Sequence, residues 1–451
     1  MTEYHDVNIK ALKLDGKGIA YHDGKAVQIN GVLPGERVRY KPVKSRKHEQ
    51  SGRAMALLRL SADRVIPRCK HFGYFQGACS GCALQHLNIS TQIAVKQQTL
   101  ENALWQAASV RPQNLLPPIE GPIWGYRHRA RLSVRYVKRR GIILVGFHER
   151  TRSFVADMQS CAILPEKVSA LLMPLRKLIQ ELSIRERLPQ IEVAVGAHVT
   201  VLVLRVLDAP SSDDREMLLH FGRTHDVSIW LQSRGPETAA PLDSNSNGLS
   251  LALPEFGIDI PFAPTDFTQV NHQLNTLLVK RTIELLAPEP DDIVVDFFCG
   301  LGNFTLPLAT RAQRVIGLEG LPTLIERAEQ AAQHNDLAQK TVFAARNLFE
   351  WNAQDWDTLV NTYGGITSRV DRVLIDPPRA GALAVSQVLA TTQTPPKRLV
   401  YISCNPDTLA RDTEVLVNKG GWQLLAAGVV NMFPHTAHVE SITVFTPPDD
   451  N

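Results

Sequence analysis

A chain of 451 residues, 44% hydrophobic and 21% charged, with 28 glycines and 28 prolines, has the composition of a globular protein of about two to four domains; disordered and collagen-like chains are excluded. Its net charge of +4 hides a segregation: residues 1–68 hold 14 Lys/Arg against 7 Asp/Glu and residues 124–152 hold 9 against 1, leaving the remainder acidic. Such basic segments suit a polyanion, because neutralised phosphates release counterions.

No apolar run approaches the ~20 residues that span a bilayer, and residues 1–6 lack a secretory pattern, so a cytoplasmic protein with no membrane partner is expected. Residues 1–62 are punctuated by glycine turns at Asp15-Gly16, Asp23-Gly24, Asn30-Gly31 and Pro34-Gly35, which predict a small β-barrel of the oligonucleotide-binding kind with Lys41, Lys44, Arg46 and Lys47 on one face. Residues 63–262 open with a cysteine-rich loop at 66–86 and a helix over 90–108. Strands over 129–136, 142–148, 191–195 and 199–204 follow, with helical stretches near 165–182 and 211–221, as in an α+β domain. Residues 234–248 are polar and turn-rich and are read as a long exposed loop. From 263 to 451 short apolar strands over 293–298, 314–319, near 342, 372–375 and 398–402 alternate with helices. That pattern predicts a doubly wound α/β domain with a mostly parallel sheet, whose ligands lie beyond the carboxyl ends of the strands.

The strand-end residues carry the chemistry. Asp296-Phe297-Phe298-Cys299-Gly300-Leu301-Gly302-Asn303 places glycines in the first strand-to-helix turn, where a bare backbone admits a ligand. Glu319, 17 residues after Gly302, stands where an acid receives the ribose hydroxyls of an adenosine cofactor. No third glycine follows to pack a pyrophosphate, so S-adenosyl-L-methionine suits the turn better than a dinucleotide. Asp376-Pro377-Pro378-Arg379 ends the fourth strand, and Ser403-Cys404-Asn405-Pro406 puts a thiol between the fifth strand and a helix start, a position that predicts a depressed thiol pKa.

Together with Phe267-Thr268-Gln269-Val270-Asn271 and Phe433-Pro434-His435-Thr436-Ala437-His438-Val439-Glu440, these motifs resemble, in order, those of the RNA uracil-5-methyltransferases. The N-terminal barrel resembles a TRAM domain, and a barrel joined to a cysteine cluster resembles the branch of the family that modifies 23S ribosomal RNA. The resemblance implies a C-terminal class I Rossmann-like methyltransferase domain, with Cys404 as nucleophile and Glu440 as base. It implies cofactor contacts at Gln269, Phe298, Asn303, Glu319, Asn347 and Asp376, and 23S rRNA as partner with no protein partner required. The same chemistry on tRNA or another rRNA uridine stays open, as does a non-catalytic RNA-binding assembly factor, although the latter has no use for both Cys404 and Glu440. An amino-directed methyltransferase would not need Cys404.

Of six cysteines, Cys69, Cys79, Cys82 and Cys161 remain outside the strand-end motifs, three of them within 14 residues, which favours metal ligands over disulfides in a cytosolic chain. Their order resembles the family's [4Fe–4S] site, with zinc as the alternative. The nine residues between Cys69 and Cys79 exceed the family spacing, with Tyr74-Phe75-Gln76-Gly77 carrying the insertion; Asn431 stands where the family pattern has Asp, and Pro378 where Ala is common. Gly125-Tyr126-Arg127-His128-Arg129-Ala130-Arg131 supplies alternating arginines to follow an RNA backbone.

Overall fold

The computed structural model describes residues 4–43, 50–243, 248–364 and 369–448. Strands β1 (His5–Leu12), β2 (Lys17–His22), β3 (Lys25–Asn30), β4 (Arg37–Val43) and β5 (Gln50–Arg59) form a closed barrel in the order β1-β2-β3-β5-β4, with β1 pairing β4 to shut it. Strand alternation turns Val7, Ile9, Ala20, Val27, Ile29, Val38 and Tyr40 inward. This strand order is that of an oligonucleotide-binding barrel. Lys41 is exposed on β4, whereas Lys44, Arg46 and Lys47 lie outside the described residues.

A six-stranded sheet follows, built from β7 (Arg129–Val137), β8 (Ile142–Gly146), β9 (Gln190–Val195), β10 (Thr200–Arg205), β11 (Ser228–Gln232) and β12 (Ala240–Pro241) in the order β12-β11-β10-β9-β7-β8. Only β10 and β11 pair in parallel, across α4 (Ser212–His225), whose start is fixed by a capping box between Ser211 and Asp214. The helical stretch read over 165–182 is two helices, α2 (Glu166–Ala170) and α3 (Leu172–Glu181), meeting at Leu171. The expected loop after β11 contains the edge strand β12, which pairs through Trp230 and Leu231. A hairpin of β13 (Leu249–Leu253) and β14 (Ile258–Phe262) then leads into the last domain.

There an eight-stranded sheet runs β17-β16-β15-β18-β19-β21-β20-β6. Strands β15 (Ile293–Phe297), β16 (Arg314–Glu319), β17 (Thr341–Ala345), β18 (Arg372–Ile375) and β19 (Arg398–Ser403) are parallel, while β20 (Gln423–Val430) and β21 (Glu440–Thr446) form an antiparallel hairpin at one side. Helices α5 (His272–Leu286), α6 (Thr305–Ala309), α7 (Pro322–His334), α8 (Ala353–Tyr363), α9 (Leu383–Thr391) and α10 (Pro406–Glu414) cover it. Strand order reverses at β15, so the crevice beyond β15 and β18 is the switch point where such sheets bind ligands.

The edge of this sheet comes from far upstream. Strand β6 (Asn114–Leu115) pairs in parallel with β20, and α1 (Ile89–Ala108) buries Ile93, Leu100 and Leu104 in the same core as Leu409, Leu416, Trp422 and Leu424. Residues 89–119, read from sequence with the middle domain, therefore pack on the C-terminal sheet. The 3.6-residue stripe on α1 shows that a face is buried, but periodicity carries no information about the partner.

Candidate active site and cysteine pocket

The turn after β15 is built from unusual backbone. Phe298, Gly300 and Gly302 have φ of 65°, 54° and 88°, which glycine adopts without cost and Phe298 does not. Space is open where a Cβ on Gly300 would stand. Beneath the turn, Asp296 is fully buried; Thr305 donates to its Oδ2 at 2.6 Å and its Oδ1 has no partner in the protein. Burial pushes its carboxyl up to about 7, with Asp376 and Glu319 adding repulsion. Glu319, at the tip of β16, accepts the backbone N–H of Gly300 at 3.3 Å and of Gly320 at 2.7 Å. Asn303 exchanges two hydrogen bonds with Asn275 of α5, at 2.8 and 3.0 Å. Gln269 lies just before α5, Asn347 is exposed beyond β17, and Asp376 follows β18. The fold thus carries all six expected cofactor positions to the carboxyl side of the sheet and the start of α5.

Strand register brings the two proposed reacting groups together. Ser403 on β19 is paired with Ser441 on β21, so Cys404 and Glu440 leave that last pair side by side. Glu440 is 4% exposed, and burial pushes its carboxyl up to about 8, Asp376 adding and Arg379 opposing. The Cys404 thiol is half-buried above the start of α10, where Asn405 caps the Asp407 N–H at 3.2 Å. The depressed thiol pKa expected from that helix start is not found: burial pushes the thiol up to about 11, and Glu440 and Asp376 push in the same direction. Two nearby carboxylates and desolvation outweigh the partial charge of one helix end and Arg379 together. Arg379, not singled out by sequence, is the cation of the site; it donates to His438 Nδ1 at 2.8 Å, and Asn405 and Thr408 donate to its carbonyl. Its place directly after the Asp-Pro-Pro was the available signal. Phe267 is 74% exposed on the segment that leads to Gln269.

Two arginines of β7, Arg129 and Arg131, are not free. Arg131 donates to Glu192 at 2.8 Å and Arg129 approaches the same carboxylate at 3.9 Å, so part of that positive stripe is neutralised within the sheet. His128, directly before β7, stacks on His272, ring centroids 4.3 Å apart.

Cys69, Cys79, Cys82 and Cys161 line one pocket together with Phe72, Phe147, Met158 and Ile163. Burial pushes the Cys82 thiol up to about 12 and that of Cys161 up to about 11, and the nearby Cys69 and Cys79 add to both. Arg150 closes the pocket's backbone, donating to the carbonyls of Gly73, Cys79 and Cys82. Among the described residues no three His, Cys, Asp or Glu side chains are grouped so as to hold a metal ion. The insertion between Cys69 and Cys79 has a visible use: Tyr74 reaches into the barrel, its hydroxyl donating to Gly16 O at 3.2 Å and its ring lying where a Cβ on Gly31 would stand.

A family model described as tRNA (Uracil-5-)-methyltransferase matches residues 89–446. The chain belongs to the uracil-5-methyltransferase family. A Bordetella avium relative named 23S rRNA (uracil(1939)-C(5))-methyltransferase RlmD is 50% identical over 97% of this chain and 90% of its own. A Ralstonia pickettii protein of the same name is 52% identical over 94% of this chain and 93% of its own. The crystal structure of Pyrococcus abyssi tRNA (uracil-54, C5)-methyltransferase with S-adenosyl-L-homocysteine shares the fold, with a TM-score of 0.73 at 23% identity, over 98% of this chain and 99% of that one. The barrel and the methyltransferase sheet are therefore family architecture, and the family's reaction is the frame in which the strand-end residues are to be understood.

Proposed function

We propose that this chain methylates C5 of a uridine in 23S rRNA through a transient thioether between Cys404 Sγ and C6 of the base. The observation that carries the mechanism is the Ser403–Ser441 pairing, which sets a thiol and a buried carboxyl side by side at the mouth of the switch-point crevice. The ribosomal substrate is supported by relatives of that name at about half identity over nearly the whole chain.

C5 of uracil is a weak nucleophile. Addition of the Cys404 thiolate to C6 forms the Sγ–C6 bond and moves the C5=C6 electrons onto O4, where Arg379 is the nearby cation to favour negative charge. Bound S-adenosyl-L-methionine supplies an electrophilic methyl group for C5. Glu440 then takes the C5 proton, the C5=C6 bond re-forms and Sγ leaves as thiolate; a carboxyl poised near 8 is a stronger base than an ordinary one. The residues fit that cofactor: the buried Asp296 Oδ1 lacks a partner, the space over Gly300 is open, and Glu319 is anchored by backbone donors at the ribose position. Gln269, Phe298, Asn303, Asn347 and Asp376 complete the proposed contacts. A uridine inside folded RNA must be extruded to reach Cys404, and exposed Phe267 offers a face on which a base can stack.

Cys69, Cys79, Cys82 and Cys161 are proposed to hold a [4Fe–4S] cluster. Four thiols lining one pocket match the four thiolates that hold such a cluster, one to each iron, and tetrahedral zinc, which also accepts four thiolates, is the alternative that the metal content decides. Protein purified without oxygen should be brown, with visible absorbance bleached by reductant and about four irons per chain; a colourless, zinc-containing preparation would exclude the cluster.

The covalent step is tested by a denaturing gel of the enzyme with cofactor and a 5-fluorouridine-substituted 23S fragment. Fluorine cannot leave as a proton, so a shifted band should accumulate and vanish in Cys404→Ala. A band with fluorinated tRNA instead would move the substrate and keep the chemistry; no band with either RNA would refute the thioether.

A further inference from the structure

Glu440 is delivered by a hairpin whose loop is held largely from outside, with Thr436 bonding to Phe433 and His438 within it. Strand β20 ends and β21 begins at the pair Val430–Glu440, and residues 431–439 join them. Within that loop His435 has a φ of 66°, a left-handed conformation that a non-glycine residue keeps only when its surroundings impose it. The surroundings are specific. Ala83 and Leu84, directly after Cys82, both donate to His435 O, at 2.8 and 3.0 Å. Tyr126 donates its hydroxyl to Pro434 O at 2.9 Å, and Trp124 stacks on the His435 ring with centroids 4.0 Å apart.

Two side chains from the first turns of α1 finish the mould. Gln92 accepts from the His435 backbone N–H at 2.9 Å and donates to Leu84 O at 3.0 Å and Leu87 O at 2.7 Å, bonding the base loop and the cysteine segment with one amide. Lys96 Nζ donates to Phe433 O at 2.9 Å and to Asn431 Oδ1 at 3.0 Å. Both side chains have no exposed surface. A helix stripe serving packing alone would carry Leu or Met here, because a buried ammonium with only neutral acceptors is costly.

We propose that Gln92 and Lys96 are positioning residues for the catalytic base: they fix the 431–438 loop, and thereby the place from which Glu440 removes the C5 proton. The proposal rests on the reading of Glu440 as base. A base must lie within hydrogen-bond reach of its proton, and a displacement of about 1 Å costs on the order of 100-fold in rate. Cys404 is set by β19 and α10; α1 packs on α10 through its apolar stripe, whereas the Gln92 and Lys96 side chains bond only the base loop and residues 84–87, so their loss bears on proton removal at C5 rather than on addition to C6.

That separation gives the test. Gln92→Met and Lys96→Met keep volume and remove the polar clamps. On ordinary uridine RNA with cofactor, each should slow product release roughly 10- to 100-fold and accumulate a denaturant-stable methylated adduct. Trapping on 5-fluorouridine RNA, which needs folded enzyme and Cys404 but no proton removal, should stay within about 3-fold of the parent, at the level expected for additive, uncoupled sites. Glu440→Gln is run beside them. If Glu440→Gln accumulates no adduct on ordinary RNA, the reading of Glu440 fails, whatever the clamps do. If it does accumulate adduct while both Met variants turn over like the parent, or lose trapping and turnover together, the positioning role is overturned. A variant that melts before assay is replaced by the other, since Gln92 holds the loop by the His435 N–H and Lys96 holds it by the Phe433 carbonyl and the Asn431 side chain.

Discussion

At Glu440 the proposed role of base and a cost in stability meet in a single carboxyl. Because burial pushes it up to about 8, it holds a proton at neutral pH, and the rate of adduct resolution should rise with pH through about 8 as the base ionises. A stopped assay of product release against pH checks this, and a limb near pH 4 to 5, the range of an ordinary carboxyl, would contradict it. The linkage to stability has the opposite direction: a carboxyl whose folded pKa lies above its unfolded value binds more protons when folded, so it costs stability as pH rises from its unfolded value to about 8. Glu440→Gln should therefore abolish turnover yet melt above the parent at pH 8.5, by on the order of 2 kcal/mol. The strand-end placement of Cys404 and Asp376 was legible in sequence because short apolar runs mark the strands that precede them. The raised Cys404 thiol was not legible, since it depends first on how deeply the thiol is buried and then on how closely two carboxylates from other strands approach.

Among elements, the insertion before Cys79 and the glycine turns of the barrel explain one another. Positive φ at Gly16 and Gly31 marks turns, and sequence reading assigned them as turns; the structure adds that Tyr74 occupies the space their missing side chains leave. Gly31→Val meets both the strained φ and the ring, and should loosen the barrel by about 2 kcal/mol or more. Limited proteolysis between residues 60 and 68 would report it, and unchanged cleavage would show that Tyr74 adapts. On β7 the exposed Arg131 and half-buried Arg129 share Glu192. Glu192→Gln should release both cations, tighten binding to a 23S fragment a few-fold and steepen its salt dependence. Filter binding at two salt concentrations decides this, and an unaltered slope would place the RNA elsewhere. Alternation along β7 predicted the shared face; the neutralising partner on β9 was hidden because register between strands distant in sequence is not written in either strand.

For the whole molecule, the doubly wound sheet was readable because buried parallel strands are short apolar runs with chemistry at their ends, as at 293–297 and 372–375. The origin of its far edge was not. Strand β6 and helix α1 complete a sheet whose β20 begins at Gln423, roughly 300 residues later; at a synthesis rate of roughly 5–20 residues per second their partner emerges on the order of tens of seconds after they do. During translation the apolar stripe of α1 must wait bare, and a C-terminal piece produced alone would present β20 as an open edge inviting other chains to pair. Residues 89–115 and the hairpin of β20 and β21 are thus tied into one cooperative object, which can close only once that hairpin has left the ribosome.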